Sequence, residues 1–137
     1  MLILLTALIQ AQNTQLEVSI VNIRPGPGIV RMAICDQPDQ FPDNPVLFYN
    51  FPKKEMKDSS ISIVIPGLRK GNYAITLLDD TNENEEMDTG LLGIPKEGYG
   101  FSNDVKPGRR CPPFEKCTFR LMEGVNQLDI RMQYFGE

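Results

Sequence analysis

Short segments in which apolar and polar residues alternate recur along the chain from residue 15 to residue 134. Alternation with a period of two puts successive side chains on opposite faces, as in a half-buried β-strand. In the first segment, this pattern is expected to turn Leu16, Val18 and Ile20 toward a core. The pattern predicts an all-β fold, a two-layer antiparallel β-sandwich of about seven strands, at residues 15–23, 29–35, 46–51, 60–65, 72–78, 117–122 and 127–134.

The turns between these segments predict which strands are neighbours. The Pro- and Gly-rich residues 24–28 make the second strand the antiparallel partner of the first. Residues 66–71 are expected to join two strands in a hairpin, and residues 123–126 to join the last two. The polar, Gly- and Pro-rich residues 79–113 are expected to form one long loop, and a loop of this length in a compact domain is usually functional.

Length and composition exclude several classes of protein function. The 137 residues fit one domain, which we place at residues 12–137. The 14 basic and 18 acidic residues give a net charge of -4, without the basic surface that nucleic acid requires. Histidine is absent, so the commonest general base and transition-metal ligand is missing. We therefore expect neither an enzyme nor a nucleic-acid-binding protein.

Residues 1–11, MLILLTALIQA, form an apolar segment of signal-peptide length that ends in a small residue. We interpret it as a secretion leader and expect the mature protein in the periplasm or outside the cell. Neither Lys nor Arg stands near Met1, so two alternatives remain open. The true start lies upstream, or the segment is a buried strand of the mature domain. No later segment is long and apolar enough for a transmembrane helix.

Residues 93–103 read GIPKEGYGFSN; an acidic segment precedes them and PPFE follows at residues 112–115. With the paired opening strands and the turn at residues 66–74, they resemble the bacterial family catalogued as domain of unknown function 2141. The resemblance covers nearly the whole mature chain. It implies an exported prealbumin-like or immunoglobulin-like β-sandwich, typical of Gram-negative bacteria, with no established activity.

The acidic loop of that family reads D-x-N-G-N-G-x-x-D, and DTNENEEMD stands here at residues 80–88. Oxygen ligands at alternating positions suit one hard cation, and calcium is the natural occupant. Because Leu91 stands where a closing Glu is usual, we expect a Kd of about 0.1–1 mM. The alternative is a turn held by side-chain hydrogen bonds without a metal. The predicted calcium ligands are the side chains of Asp80, Asn82, Asn84 and Asp88 and the carbonyl of Glu86.

Glutamates stand at the two positions of this loop where the family tends to place glycine, Glu83 and Glu85. A residue other than glycine costs energy at positive φ, so the geometry of the loop is left open. Together with Glu86 and Asp79, these residues also offer carboxylate pairs of the kind that glycoside hydrolysis uses. Neighbouring acids in a loop are mostly just solvated, so this enzyme is the least favoured alternative.

Lys96, Tyr99, Phe101 and Asn103 mark the centre of the long loop as a candidate ligand site or structural hub. Tyr99 and Phe101 alternate with glycines, and we expect both rings to fold inward and cap one end of the sandwich. The alternative is an exposed aromatic platform for a sugar or a peptide. Ser102 and Asn103 are expected to fix the turn through backbone hydrogen bonds, and Lys96 to be solvated.

The three cysteines have distinct expected roles. Cys111 and Cys117 flank five residues, and in an oxidising compartment this pair is expected to close a small disulfide loop. The alternative is two separate thiols. Cys35 lies in a strand and is expected to be a small buried hydrophobe.

The leading expectation is a non-enzymatic, exported β-sandwich module that binds or presents a ligand or partner at the cell envelope. The partner is a protein or a glycan, and calcium is the one expected cofactor. Residues 79–103 are the expected hub of this function. The main rival is a purely structural or interaction domain, in which an exposed sheet edge pairs with another chain.

Overall fold

The computed structural model describes residues 13–108 and 110–137, so the predicted leader lies outside the described residues. No helix in this part of the chain is long and apolar enough to cross a membrane. Single helical turns lie at Lys53–Glu55, Leu91–Gly93 and Ser102–Asp104, and the short helix α1 spans Phe114–Cys117. The described residues form eight strands: β1 (Thr14–Val21), β2 (Ile29–Cys35), β3 (Leu47–Pro52), β4 (Ile61–Pro66), β5 (Gly71–Asp80), β6 (Gly98–Phe101), β7 (Phe119–Leu121) and β8 (Gly124–Arg131).

The strands form two packed sheets, which confirms the predicted sandwich. One sheet has the order β4-β1-β8, and the other has the order β3-β2-β5-β6, with β7 also pairing with β5. All pairs are antiparallel except β1 and β8, which run parallel with Thr14 opposite Gly124 and Val21 opposite Arg131. The first and last strands of the domain are thus neighbours.

Two predicted pairings of consecutive strands are wrong. β1 pairs with β4 and β8 and not with β2, because the segment between β1 and β2 crosses from one sheet to the other. For the same reason β4 and β5 form no hairpin. β7 and β8, which follow one another in the chain, likewise lie in different sheets. Alternation indicates which face of a strand is buried, but it does not identify the neighbouring strand.

The core lies between the sheets and is built from alternate residues. Leu16, Val18 and Ile20 of β1 are at most 1% exposed, as predicted. They face the inward residues of β2 and β5, which are also buried: Val30, Met32, Ile34, Tyr73, Ile75 and Leu77. Burying each such side chain stabilises the fold by about 1.5–3 kcal/mol before the entropic cost of folding.

β6 lies inside the segment that was predicted to be one long loop, and its glycines explain why alternation did not reveal it. Gly98 and Gly100 face the core, where a Cβ at Gly98 would lie 2.5 Å from Cε1 of Tyr134. A Cβ at Gly100 would lie 3.0 Å from Cδ1 of Leu77. The inward face of β6 therefore carries no side chains, and the usual hydrophobic signal of a strand is missing.

A second apolar cluster covers part of the outer face of the larger sheet. Its buried members are Cys35, Ala74, Phe101, Phe114 and Cys117, and Phe41 packs against them. The segment between β2 and β3 and the helix α1 thus close one end of this face. The remainder of the face stays open and forms the floor of a groove.

Candidate binding groove

The groove floor consists of outward-facing residues from four neighbouring strands. Ala33 of β2 lies opposite Phe48 of β3 and Thr76 of β5. Leu78 of β5 lies opposite Tyr99 of β6 in the same way. The concavity above these residues has a volume of about 1190 Å³.

One wall of the groove is an arm formed by residues 88–96, which folds back on itself. The backbone N–H of Gly90 donates to the carbonyl of Ile94 at 2.7 Å, and that of Lys96 donates to the carbonyl of Asp88 at 2.8 Å. The tip of the arm carries Leu91 and Leu92, which are 85% and 92% exposed. Residues 107, 108, 110 and 111 line the groove as well, so the long segment after β5 supplies much of its lining.

Arg31 is the main charged group on the floor, and its guanidinium is tied to its neighbours. Its Nε donates to Oδ2 of Asp80 at 2.6 Å, and its Nη1 donates to Oδ1 of Asn50 at 2.9 Å. A carboxylate oxygen of Glu85 lies 3.8 Å from Nη1. Among the described residues, the hydroxyls of Thr76 and Tyr99 make no side-chain hydrogen bond, so both can serve a ligand.

Asp80 anchors the start of the acidic loop. Its side chain is 0% exposed, and it accepts hydrogen bonds from the backbone N–H groups of Asn84 at 3.2 Å and Glu85 at 2.9 Å. Burial by itself would raise the pKa of Asp80. The hydrogen bond from Arg31 and those from Glu85 and Asn84 outweigh burial and hold this pKa below its ordinary value.

The other predicted calcium ligands form a hydrogen-bonded cluster around Asp88. The side-chain amides of Asn82 and Asn84 donate to its two carboxylate oxygens, the latter at 2.8 Å. The backbone N–H of Glu86 donates to Oδ1 of Asn84 at 3.1 Å. The loop is therefore held by side-chain hydrogen bonds.

Glu97 closes the acidic loop, a role that no motif in the sequence indicates. It is 4% exposed and accepts hydrogen bonds from the backbone N–H of Thr81 at 2.7 Å and from that of Asp88 at 3.0 Å. A buried carboxylate that accepts N–H groups from both ends of a loop fixes the shape of the loop.

Both carboxylates of the predicted calcium site accept hydrogen bonds from the loop. The Asp80 carboxylate accepts three N–H donors, and one of them belongs to the cationic Arg31 guanidinium. The Arg31 guanidinium would repel a cation at Asp80, which lowers the affinity expected there. Calcium binding stays a prediction.

Glu83 and Glu85 both adopt the backbone conformation that the family's glycines suggest. Their φ angles are 57° and 68°, in the left-handed region. The backbone path is thus kept although the glycines are replaced, and the strain falls on two glutamates. Asp79 faces the interior on the opposite side of β5, so it forms no carboxylate pair across a cleft with Glu83, Glu85 or Glu86.

The aromatic residues of β6 differ in how deeply they are buried. Phe101 is 8% exposed and belongs to the second cluster, and the half-buried Tyr99 packs against the same cluster. Both residues line the groove. Ser102 and Asn103 fix the following turn as predicted: Oγ of Ser102 accepts from the N–H of Ile75 at 2.9 Å, and Nδ2 of Asn103 donates to the carbonyl of Thr118 at 2.9 Å. The Lys96 side chain is exposed.

The structure does not contain the predicted disulfide between Cys111 and Cys117, because all three cysteines are free thiols. Cys117 is packed inside the second cluster, whereas Cys111 is exposed at the groove. The spacing of the two cysteines does not reveal these different directions. Cys35 is buried, as predicted, and burial raises the pKa of Cys35 and of Cys117 to about 11.

The comparisons with known proteins agree with the resemblance noted from the acidic loop and from the GIPKEGYGFSN segment. Neither the curated proteins nor the solved structures include a match. The model of the family described as "Uncharacterized protein conserved in bacteria (DUF2141)" matches residues 18–129, which run from β1 to β8. The chain therefore belongs to this bacterial family, a domain of unknown function.

Proposed function

We propose that this chain is a binding module, that its site is the groove over the larger sheet, and that its ligand is a predominantly apolar small molecule. The proposal rests on one observation, which is that large apolar side chains are exposed around a single concavity. Phe48, Leu92 and Phe135 line the groove and are 68%, 92% and 61% exposed. Exposed apolar groups that converge on a concave surface are typical of ligand sites.

The polar groups of the groove support the same ligand class. The hydroxyls of Thr76 and Tyr99 offer a small number of hydrogen bonds, which suits the orientation of one polar group on an otherwise apolar molecule. Arg31 is already paired with Asp80, so it contributes little unbalanced charge. Apolar side chains outnumber polar ones in the lining, so the groove favours an apolar ligand over a glycan.

Export of a non-enzymatic carrier to the cell envelope is part of the proposal. Its support is the leader-like composition of residues 1–11. A module of this kind would hold or present an apolar ligand that water does not dissolve well. A purely structural domain, the alternative, predicts no saturable binding of small molecules.

Displacement of a fluorescent apolar dye tests the proposal. Anilinonaphthalene sulfonate is titrated into the folded protein, and a medium-chain fatty acid is then added as competitor. We expect saturable fluorescence with one dye per chain, and its loss as the fatty acid displaces the dye.

A variant that fills the groove and a matched control locate the binding site. Ala33→Phe places a ring on the groove floor, on the outward face of a strand inside the larger sheet. Ser19→Phe places the same ring on the outward, half-buried face of the central strand of the other sheet. Loss of dye binding in Ala33→Phe alone supports the groove. Equal dye binding by both variants, or unsaturable binding by the parent protein, contradicts it.

A further inference from the structure

A lysine amine and a carboxylate lie against each other in the protein interior, away from the groove. Lys53 follows β3 and Asp79 lies near the end of β5, with β2 between these strands in the sheet. Nζ of Lys53 is 2.9 Å from Oδ1 and 3.1 Å from Oδ2 of Asp79. Each side chain is 1% exposed, so bulk water does not reach the pair.

A tyrosine hydroxyl completes this buried cluster. Tyr134 donates its hydrogen bond to Oδ2 of Asp79 at 2.6 Å. Burial, followed by the hydrogen bond to Asp79, raises the pKa of Tyr134 far above its ordinary value, so this hydroxyl keeps its proton. The backbone N–H of Arg24 donates to the hydroxyl oxygen at 2.8 Å and fixes its position.

We propose that Lys53 and Asp79 become joined by an isopeptide bond within the folded chain, with Tyr134 as the catalytic residue. A proton first moves from the ammonium group to the carboxylate, which gives an amine and a carboxylic acid. Nζ then forms a bond to Cγ of Asp79 while the bond from Cγ to one oxygen breaks. That oxygen leaves as water, with the carboxyl proton and one proton from Nζ. The reaction needs no oxidant and no co-reactant.

The position of the pair favours this condensation in three ways. The fold holds amine and carboxyl group within hydrogen-bonding distance, which removes the entropic cost of bringing two reactants together. The Tyr134 hydroxyl polarises the carboxyl group through the oxygen to which it donates. The amide product is neutral, so the interior no longer holds two charges removed from water.

The intact mass of the purified full chain tests the proposal first. After the N-terminus has been determined, we expect the mass to be lower than that of the sequence by one water molecule. A folded protein that keeps the unreduced mass contains only an ion pair, and this result overturns the proposal.

Tryptic digestion then locates the bond. Trypsin does not cleave after an acylated lysine, so the expected product is residues 32–54 linked to residues 71–96. Lys53→Arg keeps a positive charge but offers no nucleophilic amine, and it should keep the full mass. Tyr134→Phe removes only the catalytic hydroxyl, and it should contain an unlinked fraction. Free peptides 32–53 and 71–96 in the wild type, or water lost at another site, contradict the proposal.

Discussion

Replacing Glu83 by glycine should stabilise the domain, because Glu83 is held in the left-handed region with a φ of 57°. This conformation costs a residue with a Cβ about 1–2 kcal/mol, and it costs glycine almost nothing. Glycine has more freedom in the unfolded chain, which offsets the gain by about 0.4–1 kcal/mol. The balance is a gain of about 0.5–1 kcal/mol in the free energy of unfolding. For a domain of this length, that raises Tm by about 2–4 °C.

Two controls separate backbone strain from charge in this experiment. Glu83→Ala removes the same negative charge but keeps a Cβ, so its gain should be smaller. Glu86 lies in the same loop outside the set of residues with positive φ, so Glu86→Gly should lower the free energy of unfolding. Thermal and urea unfolding followed by circular dichroism give the comparison. The reasoning is refuted if Glu83→Gly is no more stable than Glu83→Ala.

Three further predictions follow from single contacts. Gly98→Ala puts a Cβ 2.5 Å from the Tyr134 ring and should lower the free energy of unfolding by about 1–3 kcal/mol, measured by urea titration. The control Gly108→Ala, whose Cβ would have nothing within 4 Å, should change this free energy little. The pKa of Asp80 is lower in the folded than in the unfolded protein, where it is about 3.9, so the charged carboxylate stabilises the fold above that pH. This stabilisation is lost as the pH falls through the folded-state pKa. The difference in unfolding free energy between wild type and Asp80→Asn should therefore shrink below about pH 4; a constant difference contradicts the assignment. The calcium prediction requires that millimolar calcium raise Tm relative to chelator and that Asp88→Ala abolish the rise; an unchanged Tm contradicts it.

The sequence predicted the strands well because burial alternates along most of them. β2 was placed at its observed bounds, and β1 and β3 to within one or two residues. β6 was missed because its inward residues are Gly98 and Gly100, whose hydrogen atoms fill a space where no side chain fits. The pairing of β1 with β8 joins segments far apart in the chain, and no local pattern encodes it.

The groove was harder to predict than the strands. Its floor includes Ala33 and Thr76, whose side chains carry no distinctive chemistry and which meet only because β2 and β5 pair. The acidic loop was found from its composition, but the hydrogen bonds that hold it could not be predicted from the sequence. Asp80 was predicted to bind a cation, and its carboxylate accepts hydrogen bonds both from Arg31 and from two backbone N–H groups of the loop.

The end of β5 connects the interior and the groove through two adjacent aspartates. Asp79 points inward to Lys53 and Tyr134, whereas Asp80 points outward to Arg31 and the acidic loop. Successive residues of a strand face opposite sides, so this dipeptide fixes one end of the strand from both faces of the sheet. The two backbone N–H groups that donate hydrogen bonds to Asp80 belong to the loop that leads to the arm at residues 88–96. The arm that walls the groove is therefore anchored at a buried point of the larger sheet, which gives the proposed site a preformed shape before any ligand binds.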